Sequence, residues 1–172
     1  MLLFVYGTLR RGFNNKNSEK LNSLSKWIGK AIIPNAKLYY INGDDFDYPA
    51  MVLNNNGEND NGEHEYELKQ TSQNISVIGD VFQLFDPESI LVWLDEYEEC
   101  GPEKPQPTEY LRKQIKAKLI EDKNGKNIEN CWITVNTYIW NWPVENENGD
   151  FIEPVVELIE SGDWLKHVKN RK

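Results

Sequence analysis

The chain has 172 residues, of which 39% are hydrophobic, and its formal net charge is −9. This length is typical of one domain with a substantial core, so we expect residues 1–172 to form a single domain. The acidic balance disfavours nucleic acid and anionic membranes as partners, because both require a basic surface. With two cysteines and two histidines the chain has no disulfide scaffold and no zinc-ligand spacing, and the sequence predicts a cytoplasmic protein.

The chain opens with an apolar run, Leu2 to Tyr6, that shows no alternation. Such a run predicts a strand that is covered on both faces, at the centre of a sheet. Gly7 ends the run, and a glycine there permits a positive φ or a close approach to the backbone. With Thr8, Arg10 and Arg11 following, the turn is typical of an anion-binding nest. In the simpler interpretation, Gly7 only turns the chain and the arginines are solvated.

The spacing of Gly7 and Gly12 is that of the two glycines in the nucleotide-binding P-loop, G-x-x-x-x-G-K-[ST]. Phe13 and Asn14 stand where that loop requires a lysine and a hydroxyl residue. Because the phosphate-binding lysine and the magnesium-binding hydroxyl are both missing, the sequence excludes a P-loop NTPase.

The segment after the turn predicts a helix that is capped by Ser18, carries an apolar stripe through Trp27 and Ile28, and ends at Gly29. Further strands are predicted over 31–40 with an interruption near Pro34, and over 48–53, 77–85, 110–120 and 131–142. Asn124-Gly125 predicts a hairpin between the last two of these, and a final helix opens after Ser161-Gly162-Asp163-Trp164.

Residues 54–73, Asn54 to Gln73, differ from the rest of the chain. They are rich in Asn, Gly and Glu and have almost no apolar side chains. This composition predicts a solvated insertion in the domain. His64 lies inside it and is interpreted as a surface residue rather than a ligand.

A helix that starts at Asp86 and Pro87 carries the sharpest functional signal. At about 100° per residue, Glu98 lies on the same face as Leu94 and the rest of the apolar stripe, whereas Glu96 lies on the opposite face. A carboxyl group that faces inward is costly without partners, and its burial raises the pKa. A glutamate with a pKa near neutrality is suited to general acid–base catalysis.

A structural explanation of the same pattern remains open. Glu98 belongs to the last turn of the predicted helix, where it could reach water. It could also pair with Arg112 or Lys113, which follow in the next predicted strand.

Taken together, these residues resemble a known family. Five motifs recur in order: Tyr6-Gly7-Thr8-Leu9, Tyr48-Pro49-Ala50, Val77-x-Gly79-Asp80-Val81-Phe82, Leu94-Asp95-x-x-Glu98 and Tyr110-x-Arg112. The chain resembles the gamma-glutamylcyclotransferase-like family, in its AIG2-like and gamma-glutamylamine cyclotransferase branch, from Leu2 to about Trp142.

The resemblance implies an α+β fold, a small mixed β-barrel with packed helices. It implies that Tyr6, Gly7, Thr8 and Leu9 bind the glutamyl group and that Glu98 is the general acid/base. The implied reaction is intramolecular aminolysis of a gamma-glutamyl amine or peptide, which releases 5-oxoproline and a free amine. It requires no metal and no cofactor, and the partner is a small-molecule gamma-glutamyl substrate. Tyr110 and Tyr138 are expected to line the cavity or, equally, to pack in the sheet.

Two other hypotheses belong to different classes. A non-catalytic family member would bind a small carboxylate ligand or a protein partner through the same cavity. A structural interaction module would use the aromatic strand from Trp132 to Trp142, and it requires that strand's tryptophans to be exposed. The sequence predicts no oligomeric state.

Overall fold

The computed structural model describes residues 1–44, 46–54 and 75–171. Except for Asn54, the predicted insertion lies outside the described residues, and so does His64. The described elements follow in this order: β1 (Leu2–Val5), α1 (Lys16–Ser23), β2 (Ser25–Pro34), β3 (Ala36–Ile41), β4 (Tyr48–Leu53), β5 (Ser76–Leu84), α2 (Pro87–Tyr97), β6 (Tyr110–Asp122), β7 (Asn127–Trp140), β8 (Val155–Leu158) and α3 (Trp164–Asn170).

Five of the strands close into a barrel in the order β1-β5-β2-β6-β7. β1 pairs parallel with β7, where Leu3 lies opposite Asn136, and all other neighbours in the barrel are antiparallel. The remaining strands form a second sheet in the order β4-β3-β8. The predicted α+β class, with a small mixed β-barrel and packed helices, is therefore confirmed.

The first strand is buried on both faces, as its sequence predicted. Phe4 packs into one hydrophobic cluster, which includes side chains from the barrel strands and Trp164 of α3. Leu3 and Val5 pack into a second cluster, which includes side chains of α1 and α2. Burial of each such side chain contributes about 1.5–3 kcal/mol. The end of β1, and the turn that follows it, are therefore fixed from two sides.

The first helix is shorter than predicted. α1 ends at Ser23, and its N-cap is Asn15. Ser18 is the third helical residue, N3, and forms a capping box with Asn15. Trp27 belongs to β2 and lies opposite Phe82 of β5. The apolar spacing after Ser18 matches a helix, but pairing of β2 on both sides, with β5 and β6, satisfies the backbone of this segment instead.

The second helix matches its start signals. Asp86 is the N-cap and accepts a hydrogen bond from the Ser89 N–H at 3.4 Å, and Pro87 is the first helical residue. The helix buries Ile90, Leu91 and Leu94, which is the predicted stripe. Its last helical residue is Tyr97, and Glu98 is the C-cap, with its N–H donating to the Leu94 carbonyl at 2.9 Å.

Arg10 fastens the turn after β1 to two other elements. Its side chain is 3% exposed, and its Nε lies 3.1 Å from Asp80 Oδ2 on β5. Its Nη1 lies 2.6 Å from Asp163 Oδ1, at the N-cap of α3. The Arg11 N–H also donates to Asp80, at 3.1 Å. Since Asp80 is 2% exposed, this ion pair is almost entirely desolvated.

Replacing Arg10 should destabilise the fold strongly. Arg10→Met leaves the Asp80 carboxylate buried without its cation, so we expect the free energy of unfolding to fall by about 3–5 kcal/mol. Urea denaturation followed by circular dichroism measures the change. Arg11→Met is the matched control, since its guanidinium lies over the Trp27 ring on an exposed side chain and its loss should cost less than about 1 kcal/mol. Equal losses in the two variants would contradict the structural role of the Arg10 pair.

Candidate active site

A cavity of about 160 Å³ lies where the turn after β1, the end of α2 and the starts of β4 and β6 meet. Glu98 lines it, together with all four residues predicted to bind the glutamyl group, Tyr6, Gly7, Thr8 and Leu9. The other lining residues are Phe4, Val5, Phe46, Tyr48, Pro49, Tyr97, Glu99, Glu109, Tyr110 and Tyr138. Its volume is below the roughly 300–1,000 Å³ of pockets for drug-sized ligands, which favours a small ligand.

Gly7 provides space for a neighbouring strand. A Cβ at this position would lie 2.7 Å from Cγ and 3.0 Å from Cδ of Pro49 on β4. The φ of Gly7 is not positive. The sequence offered two reasons for a glycine here, a positive φ and a close approach to the backbone. Only the close approach applies.

The turn itself is held from several directions. The Arg10 N–H donates to the Gly7 carbonyl at 3.1 Å, and Asn15 Nδ2 donates to the Thr8 carbonyl at 2.9 Å. The Thr8 hydroxyl lies 3.0 Å from the Tyr97 hydroxyl at the end of α2. Among the described residues, the N–H groups of Thr8 and Leu9 have no hydrogen-bond acceptor. Two N–H donors without an acceptor therefore belong to residues that line the cavity, and a nest is built from such donors.

The expectation that the arginines of the turn supply positive charge to an anion site is wrong for Arg10. Its guanidinium binds Asp80 and Asp163, and Arg10 does not line the cavity. The Arg11 guanidinium lies 4.4 Å from the centre of the Trp27 ring. In the described part of the chain no Lys, Arg or His lines the cavity, so the donors available to an anion there are uncharged backbone N–H and hydroxyl groups.

The Glu98 carboxyl faces the cavity without a protein partner. No ion pair or hydrogen bond within the described ranges involves its side chain, and Arg112, one predicted partner, instead binds Asp95 with an Nε–Oδ1 distance of 3.3 Å. Lys113, the other, is exposed. Burial and, second, the charge of Glu109 raise the pKa of Glu98 to about 8. The inward orientation agrees with the helical-wheel prediction, and the group can exchange a proton near neutral pH.

Two further carboxyl groups reach the cavity. Glu109, directly before β6, accepts a 2.5 Å hydrogen bond from the Tyr48 hydroxyl. Burial raises the pKa of Glu109, and this hydrogen bond opposes the rise. Glu99 follows the C-cap of α2 and has a positive φ of 48°, so the chain leaves the helical path at this residue. Glu99 therefore lines the cavity beside Glu98. A helix continued at about 100° per residue would instead place Glu99 about 140° from Leu94, away from the apolar stripe.

Tyrosines form much of the cavity wall, and hydrogen bonds fix them. The Tyr6 hydroxyl donates to the Tyr138 carbonyl at 2.9 Å, and the Tyr110 hydroxyl donates to the Pro49 carbonyl at 3.0 Å. The Tyr138 hydroxyl donates to Asp95 Oδ1 at 2.7 Å. Burial raises the pKa of all three tyrosines, so they stay neutral. Tyr110 and Tyr138 line the cavity and also pack in a hydrophobic cluster, so both of the alternatives that the sequence left open apply to them.

The aromatic strand does not present one exposed tryptophan face. Trp140 is 5% exposed, whereas Trp132 and Trp142 are 43% and 38% exposed. The Trp142 indole N–H donates to the Pro107 carbonyl at 3.0 Å. An interaction module that requires all of these rings outward does not fit this arrangement.

The sequence did not single out Glu109, Tyr97 or the pairing of Asp95 with Arg112 and Tyr138. Glu109 stands one residue before the Tyr110-x-Arg112 motif, which was the one available signal. Within the described residues, no set of three or more His, Cys, Asp or Glu side chains is arranged to hold a metal ion. No helix there has both the length and the apolar character to cross a membrane.

Comparisons with solved structures agree on the fold. An uncharacterised protein of Pyrococcus horikoshii matches 99% of this chain and 95% of its own, with 18% identity and a TM-score of 0.51. An AIG2-like protein of Mus musculus matches 89% of this chain and 95% of its own, with 19% identity and a TM-score of 0.50. The protein ytfP of Escherichia coli matches 98% of this chain and 99% of its own, with 23% identity and a TM-score of 0.51.

A search of curated proteins finds no significant match to the sequence. The family model described as "Gamma-glutamyl cyclotransferase, AIG2-like" matches residues 3–166. That range contains the barrel except for Leu2, the whole second sheet and every lining residue of the cavity. The chain therefore belongs to the AIG2-like gamma-glutamyl cyclotransferase family.

Proposed function

We propose that this protein is a gamma-glutamyl cyclotransferase that converts a gamma-glutamyl amine or peptide into 5-oxoproline and a free amine. One observation carries the proposal: a carboxyl group with a pKa of about 8, Glu98, shares a small cavity with the unpaired N–H groups of the turn after β1. Membership in the family supports the same reaction class.

The turn would bind the α-carboxylate of the glutamyl group. The N–H groups of Thr8 and Leu9 are donors without acceptors among the described residues, and no cationic side chain competes for the anion there. Hydrogen bonds from neutral donors to a carboxylate are stronger than those between neutral groups. With the carboxylate held in this way, the α-ammonium group and the γ-carbonyl would lie in the cavity that Glu98 lines.

Glu98 would then pass protons between the two nitrogens. Its carboxylate form takes one proton from the α-ammonium group, and the free amine attacks the γ-carbonyl carbon to form the ring C–N bond. Glu98 gives this proton to the departing nitrogen as the original amide C–N bond breaks. The ring nitrogen then loses its second proton through Glu98 to the departing amine, which leaves as an ammonium ion. Holding the substrate in a folded conformation turns this attack into a reaction with a high effective concentration. A carboxyl group with a pKa near the working pH can act in both directions.

Removing the titratable group of Glu98 should slow turnover strongly. For Glu98→Gln we expect kcat to fall by about 10²–10⁴-fold, the usual contribution of a general acid–base residue. Release of 5-oxoproline from a set of gamma-glutamyl amines and dipeptides, followed by chromatography, measures the effect. Activity of the variant within threefold of wild type would remove Glu98 from the mechanism. Ligand binding without turnover by the wild type would instead favour the non-catalytic hypothesis.

The same variant should be more stable than wild type in alkali. Because burial raises the pKa of Glu98 in the folded state, the folded protein holds a proton that the unfolded chain loses. This stabilisation is complete below the ordinary pKa of 4.5 and is lost as the pH rises through about 8. Glu98→Gln cannot lose it, so its Tm should exceed that of wild type by at least about 3 °C near pH 9 and match it near pH 4. Scanning calorimetry at both pH values tests this, and a lower Tm of the variant near pH 9 would contradict it.

The pH dependence of kcat/KM should report the same group. If the carboxylate is the active form, kcat/KM rises with pH and levels off above about 8. The charge of Glu109 contributes to the raised pKa of Glu98, so Glu109→Gln should shift the rising part of the pH profile to lower pH. Glu109→Asp, which keeps the charge, should move it less. If the rising part of the pH profile is unchanged in Glu109→Gln, the carboxyl groups of Glu98 and Glu109 do not interact.

A further inference from the structure

Tyrosine hydroxyls surround the Glu98 carboxyl, and among the described residues none of them donates to it. Two donate to backbone carbonyls, one donates to Glu109, one donates to Asp95, and one pairs with the hydroxyl of Thr8. Each is a potential donor to a carboxylate, yet within the described ranges the Glu98 side chain receives no hydrogen bond. In the same order, these tyrosines are Tyr6 and Tyr110, Tyr48, Tyr138, and Tyr97.

The hydroxyl of Tyr138 is held by a carboxyl group outside the cavity. It donates to Asp95 Oδ1 at 2.7 Å. Asp95 does not line the cavity and lies on α2, three residues before Glu98. Burial, then the hydrogen bond with Asp95 and the charge of Asp95, and then the charge of Glu98 raise the pKa of Tyr138. The Tyr138 hydroxyl therefore lies within the electrostatic range of Glu98 but donates to another acceptor.

Arg112 orients the acceptor that Tyr138 uses. Its Nε lies 3.3 Å from the same Oδ1 atom of Asp95. Arg112 is also the residue of β6 that lies opposite Tyr138 on β7, so donor, acceptor and cation are fixed by one strand pair and one helix. A hydrogen bond to an ionised carboxylate is about twice as strong as a bond between neutral groups. The Tyr138 hydroxyl is thus bound firmly on the Asp95 side.

A donor beside Glu98 would weaken it as a base. A hydrogen bond to the charged form of a carboxyl group favours that form and lowers the pKa. The pKa of Glu98, about 8, matches the pKa of an α-amino group, also about 8. If Glu98 had its ordinary pKa of 4.5, proton transfer from the α-ammonium group would be about 10³-fold less favourable. Keeping hydroxyl donors away from Glu98 therefore supports the proposed reaction.

We propose that Asp95 is a positioning residue of this site, because it accepts the hydrogen bond of the Tyr138 hydroxyl and so withholds that donor from the Glu98 carboxylate. The inference rests on the proposed function and adds a residue that acts on the base of that reaction without touching the substrate. If Asp95 only joined α2 to the barrel, its loss would lower stability and leave the titration of Glu98 unchanged.

Asp95 is the acceptor whose replacement tests this idea most directly. Two of the other acceptors are backbone carbonyls, and Glu109 acts on Glu98 through its own charge. Several titratable groups among the described residues line the cavity with Glu98 or respond to its charge. They are Tyr6 of β1, Tyr48 of β4, Tyr97 of α2, Glu99 and Cys100 after α2, Glu109 before β6, Tyr110 of β6 and Tyr138 of β7.

The titration of Glu98 can be followed without turnover. Carbon-13 NMR of protein labelled at the glutamate carboxyl carbons reports it, and the Glu98 signal is the one that Glu98→Gln lacks. We expect a midpoint near pH 8 in the wild type. Asp95→Leu keeps the branched shape of the side chain and removes its acceptor. It should lower the midpoint by about one pH unit, the effect of one hydrogen bond to a charged group.

Two control variants separate the hydrogen bond from the charge. Asp95→Asn removes the same charge but keeps an acceptor oxygen, so its midpoint should stay within about 0.3 pH units of wild type. Asp95→Leu combined with Tyr138→Phe lacks the released hydroxyl, and its midpoint should return to near pH 8. Circular dichroism checks the fold of each variant, and Asp95→Ala replaces Asp95→Leu if that variant does not fold.

Three outcomes would overturn the inference. The first is an equal fall of the midpoint in Asp95→Asn and Asp95→Leu, which would assign the effect to charge. The second is a fall that persists when Tyr138→Phe is added, and the third is a midpoint that Asp95→Leu leaves in place.

Kinetics of the wild-type protein separate this inference from the proposed function. Release of 5-oxoproline, with a Glu98 midpoint that does not respond to Asp95→Leu, would refute the inference and support the cyclotransferase. A midpoint that moves as expected, in a protein that turns over no gamma-glutamyl amine or peptide, would support the action of Asp95 on Glu98 and refute the cyclotransferase. A wild-type midpoint near the ordinary value of 4.5 would refute both.

Discussion

The geometry of the cavity depends on a buried charge pair outside it. Arg10 joins the turn after the first strand to Asp80 of β5 and to Asp163 at the start of α3. Removing these charges from water is expensive, and the pair is tolerated because each group is satisfied by several partners. Next to Asp80, a Cβ on Gly79 would lie 2.4 Å from the Val5 carbonyl oxygen, so β1 and β5 also meet closely. These contacts hold the turn on the side away from the cavity, and the residues on its other side line the cavity.

The family's short motifs meet in space at this turn. Gly7 gives Pro49 room, and the Tyr110 hydroxyl binds the Pro49 carbonyl, so the barrel and the second sheet are joined beside the cavity. Asp95 binds both Arg112 and the hydroxyl of Tyr138, the residue opposite Arg112 on β7. Each motif on its own is too short to identify a site. Their contacts explain why they occur together, since the shape of one cavity depends on all of them.

Local patterns predicted the parts of this structure that depend on local physics. The unbroken apolar run at Leu2 predicted a strand covered on both faces, and the period of α2 predicted which side of the helix Glu98 faces. The sequence could not show that Arg10 binds Asp80, which is 70 residues away, or that Glu109 reaches the cavity. Helix-like spacing around Trp27 was misleading because pairing between distant strands outweighed it. Contacts set by topology are the ones that a local pattern does not contain.

The position of Glu98 at the C-cap of α2 has a further consequence. The aligned peptide dipoles of a helix place a partial negative charge, about half of an elementary charge, at its C-terminus. The carbonyl end of α2 therefore adds to the forces that oppose a negative charge on the carboxyl group. In the proposed reaction, the same end would attract the α-ammonium group of the substrate, and its arrival would relieve that opposition. Substrate entry would thus itself convert the resting acid into the base that the reaction needs.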